Sequence, residues 1–128
     1  MNPFALLPLT FALLTPMNPD SADGADGALA APGRVGGEGS ADTRVLAHST
    51  DVFHIRFEGG KPAEIVVNGD GDTDLDLYVY DENDNLIVSD TDALDLCIAN
   101  WTPRWTGTFR VEVKNLGDVY NRYSLRTN

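Results

Sequence analysis

The chain has 128 residues, a formal net charge of −11 and a sequence pI of about 4.2. So acidic a chain repels nucleic acid and anionic membranes, because phosphate binding needs clustered Lys and Arg side chains. A cation, a basic partner or a neutral ligand is expected instead. The one cysteine, Cys97, excludes an internal disulfide, so packing or a bound metal must stabilise the fold. We expect Cys97 itself to be a small buried residue on a strand.

The first residues contain an apolar run, FALLPLTFALL, from Phe4 to Leu14. It is too short to span a bilayer, which needs about 20 residues, and it is typical of the apolar core of a secretory signal. No Lys or Arg precedes the run, and the one A-x-A site, Ala28–Ala30, lies well beyond it. We interpret residues 1–17 as a signal-like leader and expect an extracellular, periplasmic or cell-surface protein.

Residues 18–43 are rich in Gly, Ala, Asp and Ser and have almost no large apolar side chains. Such a segment cannot offset its ordering entropy by burial. The composition therefore predicts a disordered linker over 18–43, followed by a folded domain over 44–128.

From Arg44 onward the hydrophobic pattern has a period of two, which is typical of half-buried strands. The clearest strands alternate apolar residues on one face with polar residues on the other. Their predicted inward residues are Phe53, Ile55 and Phe57; Ile65 and Val67; Leu75, Leu77 and Val79; Phe109, Val111 and Val113; and Tyr123 and Leu125. Shorter strands are predicted over Leu86–Val88 and Leu96–Ala99, with a weaker one at Arg44–Ala47.

These seven or eight short strands are separated by polar turns, and no segment has helical periodicity. The spacing predicts an all-β fold, an antiparallel β-sandwich or jelly roll, with a small closed barrel as the alternative.

Three stretches in this order resemble the bacterial pre-peptidase C-terminal (PPC) domain family. They are DTDLDLYVYDENDNLIVSD at 72–90, WTPRWTGTFRVEVKN at 101–115 and YNRYSLRTN at 120–128. The resemblance covers residues 51–128. It implies a jelly-roll accessory domain of a secreted enzyme that is not itself catalytic. It also implies that calcium is a candidate cofactor, and that the ligand is an extracellular protein or a polysaccharide.

Nine Asp, one Glu and no Lys or Arg lie between residues 70 and 95. Calcium needs six to eight oxygen ligands, which closely spaced carboxylates on turns supply. We expect a calcium site around Asp70, Asp72 and Asp74, with help from the later acids. The full candidate set is Asp70, Asp72, Asp74, Asp76, Asp90, Asp92 and Asp95. The alternative is a solvated acidic loop, since Asp and Asn are ordinary turn residues.

Trp101 and Trp105 lie four apart around Pro103. Exposed, they would stack on a sugar ring, as in a carbohydrate-binding module; buried, they would cap the end of a thin core. Tyr78, Tyr80 and Tyr120 would extend such a platform if they shared its face.

His48, His54 and Cys97 are the nominal candidates for nucleophilic catalysis, but no G-x-S-x-G, H-E-x-x-H or C-x-x-C motif accompanies them. We therefore expect a non-catalytic secreted binding module with no membrane span. A small extracellular hydrolase with an unrecognised site stays as the alternative.

Overall fold

The computed structural model describes residues 33–128. The leader predicted at 1–17 and residues 18–32 of the predicted linker lie outside this range. Every regular element within it is a strand, as predicted. The strands are β1 (Gly39–Val45), β2 (Thr50–Phe57), β3 (Ala63–Asn68), β4 (Leu75–Tyr80), β5 (Leu86–Asp90), β6 (Leu96–Trp101), β7 (Gly107–Asn115) and β8 (Asn121–Thr127).

The eight strands form two sheets of four, and every pairing is antiparallel. The strand order is β1-β8-β3-β6 in the first sheet and β2-β7-β4-β5 in the second. The sandwich prediction is confirmed, and the closed-barrel alternative is wrong because each sheet ends in two edge strands.

The core lies between the sheets and is built by the alternation that the sequence shows. In the second sheet, Phe53 pairs with Val111 and Ile55 pairs with Phe109, so the apolar sides of β2 and β7 face the same way. The predicted inward residues are all buried, and Cys97 is fully buried among them. Burial of each large apolar side chain contributes about 1.5–3 kcal/mol.

The predicted start of the domain at Arg44 is wrong. β1 begins at Gly39, inside the predicted linker. It pairs with β8 along its whole length, from Gly39 opposite Thr127 to Val45 opposite Asn121. Arg34 is also buried and bridges to Phe57. The pattern missed this segment because residues 39–43 carry no large apolar side chain. Backbone hydrogen bonds to β8 hold it in place.

The strand directions give the sandwich two distinct ends. Loops 58–62, 81–85 and 102–106 lie at one, which we call the tryptophan end. Loops 46–49, 69–74, 91–95 and 116–120 lie at the other, which we call the acidic end. Residues 33–128 contain no helix with the length and apolar character needed to cross a membrane.

Candidate functional site

A groove of about 370 Å³ opens at the tryptophan end. Aromatic and apolar side chains form most of its wall, and a few polar side chains complete it. The lining residues are Asp81, Asn85, Ile87, Trp101, Thr102, Pro103, Arg104, Trp105 and Phe109. This mixture, apolar surface with a few placed polar groups, is the usual composition of a ligand site.

The two tryptophans have different roles in this groove. Trp101 packs edge-on against Phe57 at 4.9 Å between ring centroids and lies 5.4 Å from the ring of Phe109. It therefore caps the end of the core, as the sequence analysis expects of a buried tryptophan. Trp105 is 49% exposed, so its ring is available to a ligand. The sequence alone does not divide the pair in this way.

The indole of Trp101 also carries an unsatisfied polar group. Its indole Nε1 is buried and has no hydrogen-bond partner among the described residues. A buried donor without an acceptor costs about 1–3 kcal/mol.

The loop that carries Trp105 is held by a close backbone contact. A Cβ at Gly59 would lie 2.5 Å from the Cα of Trp105, so no side chain fits there. The Gly59 amide donates to Thr106 Oγ1 at 2.9 Å, and the Gly60 amide donates to the Pro103 carbonyl at 2.8 Å. These contacts fix the position of the groove wall without covering the ring of Trp105.

Asp81 supplies a fixed carboxylate to the same groove. Its Oδ1 accepts from the backbone amides of Asn83 and Asn85 at 2.8 and 2.9 Å, and its Oδ2 accepts from Asn85 Nδ2 at 3.1 Å. The Asn85 backbone amide is the main reason that the pKa of Asp81 is lowered. The carboxylate is thus ionised and is committed to shaping the 81–85 loop.

The tyrosines do not extend this platform. Tyr78 and Tyr80 stack on each other, with ring centroids 6.4 Å apart, on the outer face of the second sheet. Tyr120 lies in the 116–120 loop at the acidic end. None of the three lines the groove, so the condition for extending the platform, a shared face, is not met.

At the acidic end, the predicted metal ligands fall into two groups. In the first group, Asp70 and Asp95 meet around the buried side chain of Asn121. Asn121 Oδ1 accepts from the Asp70 amide at 3.1 Å, and its Nδ2 donates to Asp95 Oδ2 at 3.2 Å. Asp70 Oδ2 accepts from the Arg122 amide at 2.9 Å, which is the main cause of its lowered pKa. These carboxylates hold loops together.

The second group lies around Cys97. Asp76 is 6% exposed, and its pKa is raised by burial and then by the neighbouring charge of Asp74. Burial also raises the pKa of the Cys97 thiol to about 12, with further contributions from Asp90, Asp92, Asp76 and Asp74. The Oδ1 atoms of Asp74 and Asp76 are buried and have no hydrogen-bond partner within residues 33–128.

The remaining acids are exposed or bonded to backbone. Asp90 accepts from the Ile98 amide at 2.9 Å, and Asp92 accepts from the Leu94 amide at the same distance. Asp72 is exposed, and its amide donates to Asp70. In residues 33–128, no three His, Cys, Asp or Glu side chains are grouped closely enough to hold a metal ion. Of the predicted set, only Asp74 and Asp76 have buried carboxylate oxygens without a hydrogen-bond partner within residues 33–128.

His48, His54 and Cys97 are not brought together. His48 Nε2 pairs with Asp118 at 2.6 Å in an exposed loop contact. His54 faces outward from β2, where burial and then the charge of Arg110 lower its pKa. Cys97 faces the core from the other sheet and donates to the Leu75 carbonyl. The three side chains therefore cannot act as a nucleophile and its base.

Two buried asparagines were not anticipated from the sequence. Asn115 Nδ2 donates to the carbonyls of Val45, Leu46 and Val119, and Asn121 joins the loops described above. Each lies at the end of an alternating strand, on its inward face. That position is the signal that distinguishes them from ordinary turn residues.

The structure resembles a solved one at the level of the whole domain. The crystal structure of the pre-peptidase C-terminal domain of a collagenase from Bacillus anthracis superposes with a TM-score of 0.59. The match covers 70% of this chain and 87% of that one, at 17% sequence identity. The chain has the fold of a PPC domain. The resemblance stated from the sequence is thus confirmed by the fold. No family model matches the chain, and no curated protein matches it.

Proposed function

We propose that this PPC-like domain is a non-catalytic accessory module that binds a polysaccharide through the groove at the tryptophan end. The observation that carries the proposal is the half-exposed ring of Trp105 in a groove lined by aromatic and apolar side chains with a few polar ones. A sugar ring offers an apolar face for stacking and hydroxyl oxygens that accept hydrogen bonds.

Two further observations support an accessory role. The similar fold in the Bacillus anthracis protein is a domain of a collagenase. Within residues 33–128, the candidate nucleophile and bases lie on different sheets or loops and make no contact with one another. The hydrolase alternative therefore has no supporting observation.

The test is affinity electrophoresis of the full chain through gels that contain a neutral polysaccharide, with cellulose, xylan and chitin derivatives compared against gelatin. The proposal predicts retardation by at least one polysaccharide and quenching of tryptophan fluorescence in the same titration. Retardation by gelatin alone would make the ligand a protein and contradict the polysaccharide assignment. No retardation by any polymer would contradict the binding role.

We also propose that a calcium ion stabilises the acidic end. Asp74 and Asp76 would hold it, because their unpartnered carboxylate oxygens are hard ligands of the kind that calcium prefers. Burial and then the charge of Asp74 raise the pKa of Asp76, and a bound cation would offset the repulsion between the two carboxylates. Asp70, Asp72, Asp92 and Asp95 are exposed or bonded to neighbouring groups and would contribute less.

The calcium proposal is tested by melting temperature in calcium and in sodium at equal ionic strength. A specific site gives an extra rise in calcium that grows with concentration, whereas general screening gives equal rises. Asp74→Asn with Asp76→Asn should abolish the extra rise, and Asp72→Asn, an exposed acid of the same end, should keep it. Equal rises in both salts would overturn the site.

The proposal places the protein outside the cell or at its surface. The signal-like run at Phe4–Leu14 and the acidic composition support this location. Fractionation of cells that express the full chain tests it, since the proposal predicts recovery outside the cytoplasm.

A further inference from the structure

Two arginines face each other directly on the outer side of the first sheet. Arg44 of β1 is the register partner of Arg122 of β8, and both side chains are exposed. Like charges in directly opposed positions of an antiparallel pair destabilise it. In a chain with 9 basic and 20 acidic residues, such a pair needs a physical reason.

Both guanidinium groups converge on one aromatic ring. The Cζ of Arg44 lies 5.1 Å from the ring centroid of Tyr120, and the Cζ of Arg122 lies 5.7 Å from it. Tyr120 is 41% exposed, and Arg44 and Arg122 are exposed as well. The three side chains thus form an exposed cationic cluster around one aromatic ring, which we call the arginine pair.

The second sheet offers a direct contrast. Arg110 also lies over a tyrosine, at 4.3 Å from the ring centroid of Tyr80, but it makes ion pairs with Asp84 and Glu112. Neither Arg44 nor Arg122 has a carboxylate within ion-pair distance among the described residues. Each guanidinium has five N–H donors, so the arginine pair has unused donors in the fork geometry that binds carboxylates.

Two carboxylates lie close to the arginine pair, and one of them, Asp70, interacts with the charge of Arg122 without forming an ion pair with it. Asp70 uses Oδ2 on the Arg122 amide and Oδ1 on the Asp72 amide. Asp42 lies two residues before Arg44 on the same face, opposite Ser124. Their charges disfavour a dianion or a polyanion and leave room for a ligand with a single negative charge.

An open groove continues along this face from the arginine pair. It has a volume of about 650 Å³ and is mostly polar. Asp42, Ser124 and Arg126 are among its lining residues. A ligand anchored at the arginine pair therefore has a polar surface on which its uncharged part can lie.

We infer that Arg44, Arg122 and Tyr120 form a carboxylate-binding site for a ligand with one carboxylate on an otherwise neutral, hydroxyl-rich body. The two guanidinium groups hold the carboxylate oxygens, and the exposed ring of Tyr120 contacts the body next to the carboxylate. This site lies at the acidic end, away from the tryptophan groove, and does not depend on the function proposed for that groove.

The experiment is an NMR titration of the ¹⁵N-labelled full chain with D-galacturonate, using D-galactose as the matched neutral probe. The buffer is first passed over a chelating resin, which removes calcium. A soluble chelator is avoided because it is itself a polycarboxylate and would compete for the site. We expect saturable shifts at the Arg44 and Arg122 Nε–H groups with galacturonate and none with galactose. Arg44→Gln with Arg122→Gln should weaken binding at least about tenfold.

The matched control is Arg110→Gln, which removes an ion-paired arginine that also lies on a tyrosine and should leave the galacturonate affinity unchanged. Trp105→Ala should leave it unchanged as well, which separates this site from the tryptophan groove. Equal shifts with sulfate at the same ionic strength would overturn the carboxylate assignment. Unchanged binding in the double arginine variant would overturn the site.

Discussion

The two ends of the sandwich are stabilised by different physics, although the same strands connect them. At the tryptophan end, Phe57, Trp101 and Phe109 pack their rings at centroid distances of 4.9 to 6.0 Å. At the acidic end, carboxylates and two buried asparagines fasten the loops by hydrogen bonds. Apolar packing does not depend on the protonation of any group, whereas the stability that the carboxylate network contributes changes with pH and with bound cations.

This difference suggests a division of roles. The tryptophan end is held by apolar packing and leaves the ring of Trp105 exposed to a ligand. The acidic end carries unpartnered carboxylate oxygens whose repulsion a cation would relieve. Variants at each end should therefore differ in the size and in the pH dependence of their effects.

The largest effect is expected from Phe57→Ala at the tryptophan end. Phe57 is fully buried, and its ring contacts both Trp101 and Phe109, so its removal leaves a cavity. Loss of a buried Phe typically costs about 3–5 kcal/mol. Urea unfolding should show the same loss at pH 5 and pH 7. A loss that changes strongly between these pH values would show that the two ends are not independent.

The second effect is expected from Asn121→Ala at the acidic end. Its Nδ2 donates to Thr73 and Asp95, and its Oδ1 accepts from the Asp70 amide. Leaving these buried groups unpaired should cost about 1–3 kcal/mol.

Hydrogen exchange locates that loss. The amides of Gly69 and Gly71, which donate to the Asp95 carbonyl and carboxylate, should exchange faster in Asn121→Ala. The Gly60 amide at the tryptophan end should be unaffected. Asn100→Ala, an exposed asparagine, serves as the control and should change neither group. Faster exchange at both ends would mean that the network supports the whole domain.

The smallest effects are expected from two carboxylates of the acidic end, Asp70 and Asp76. Their contributions to the stability of the fold depend on pH in opposite directions. The pKa of Asp70 is lowered from its ordinary value of 3.8, so Asp70 stabilises the fold above that pH and loses this contribution as the pH falls through its folded pKa. The pKa of Asp76 is raised, so its contribution is present below pH 3.8 and is lost as the pH rises through its folded pKa.

At pH 7 without calcium, Asp76→Asn should therefore raise stability by about 0.5–1 kcal/mol. Asp70→Asn should lower stability at pH 7, and this loss should disappear in strong acid. Melting curves from pH 2 to pH 7 check both variants. If the two variants shifted the melting temperature in the same direction at pH 7, the assigned hydrogen bonds of Asp70 or the burial of Asp76 would be wrong.

The sequence predicts the core more fully than the ends. Alternation identifies the inward faces of β2, β3, β4, β7 and β8 because burial of one face repeats every second residue. The first part of β1, residues 39–43, escapes the pattern, since backbone hydrogen bonds to β8 hold this edge strand there rather than large side chains. Which sheet a strand joins depends on pairings between distant segments, which a local pattern does not encode.

The candidate sites could be predicted in composition but not in arrangement. The acids between residues 70 and 95 were recognised as candidate metal ligands, but only the fold separates Asp74 and Asp76 from Asp70 and Asp95. Likewise, only the fold shows that Trp101 packs against the core and that the ring of Trp105 is exposed. The arginine pair depends on the register of β1 with β8, which residues so far apart in the chain do not reveal.

The central claim is that the tryptophan end is the binding end, and one comparison tests it most directly. The affinity of the full chain for the polysaccharide that retards it should be measured for Trp105→Ala and for Leu94→Ala, which removes an exposed apolar side chain from the acidic end. We predict that Trp105→Ala weakens binding at least about tenfold, as loss of an aromatic anchor typically does, and leaves the melting temperature unchanged. Leu94→Ala should leave the affinity unchanged. Equal affinities for Trp105→Ala and the unmodified chain would contradict the claim.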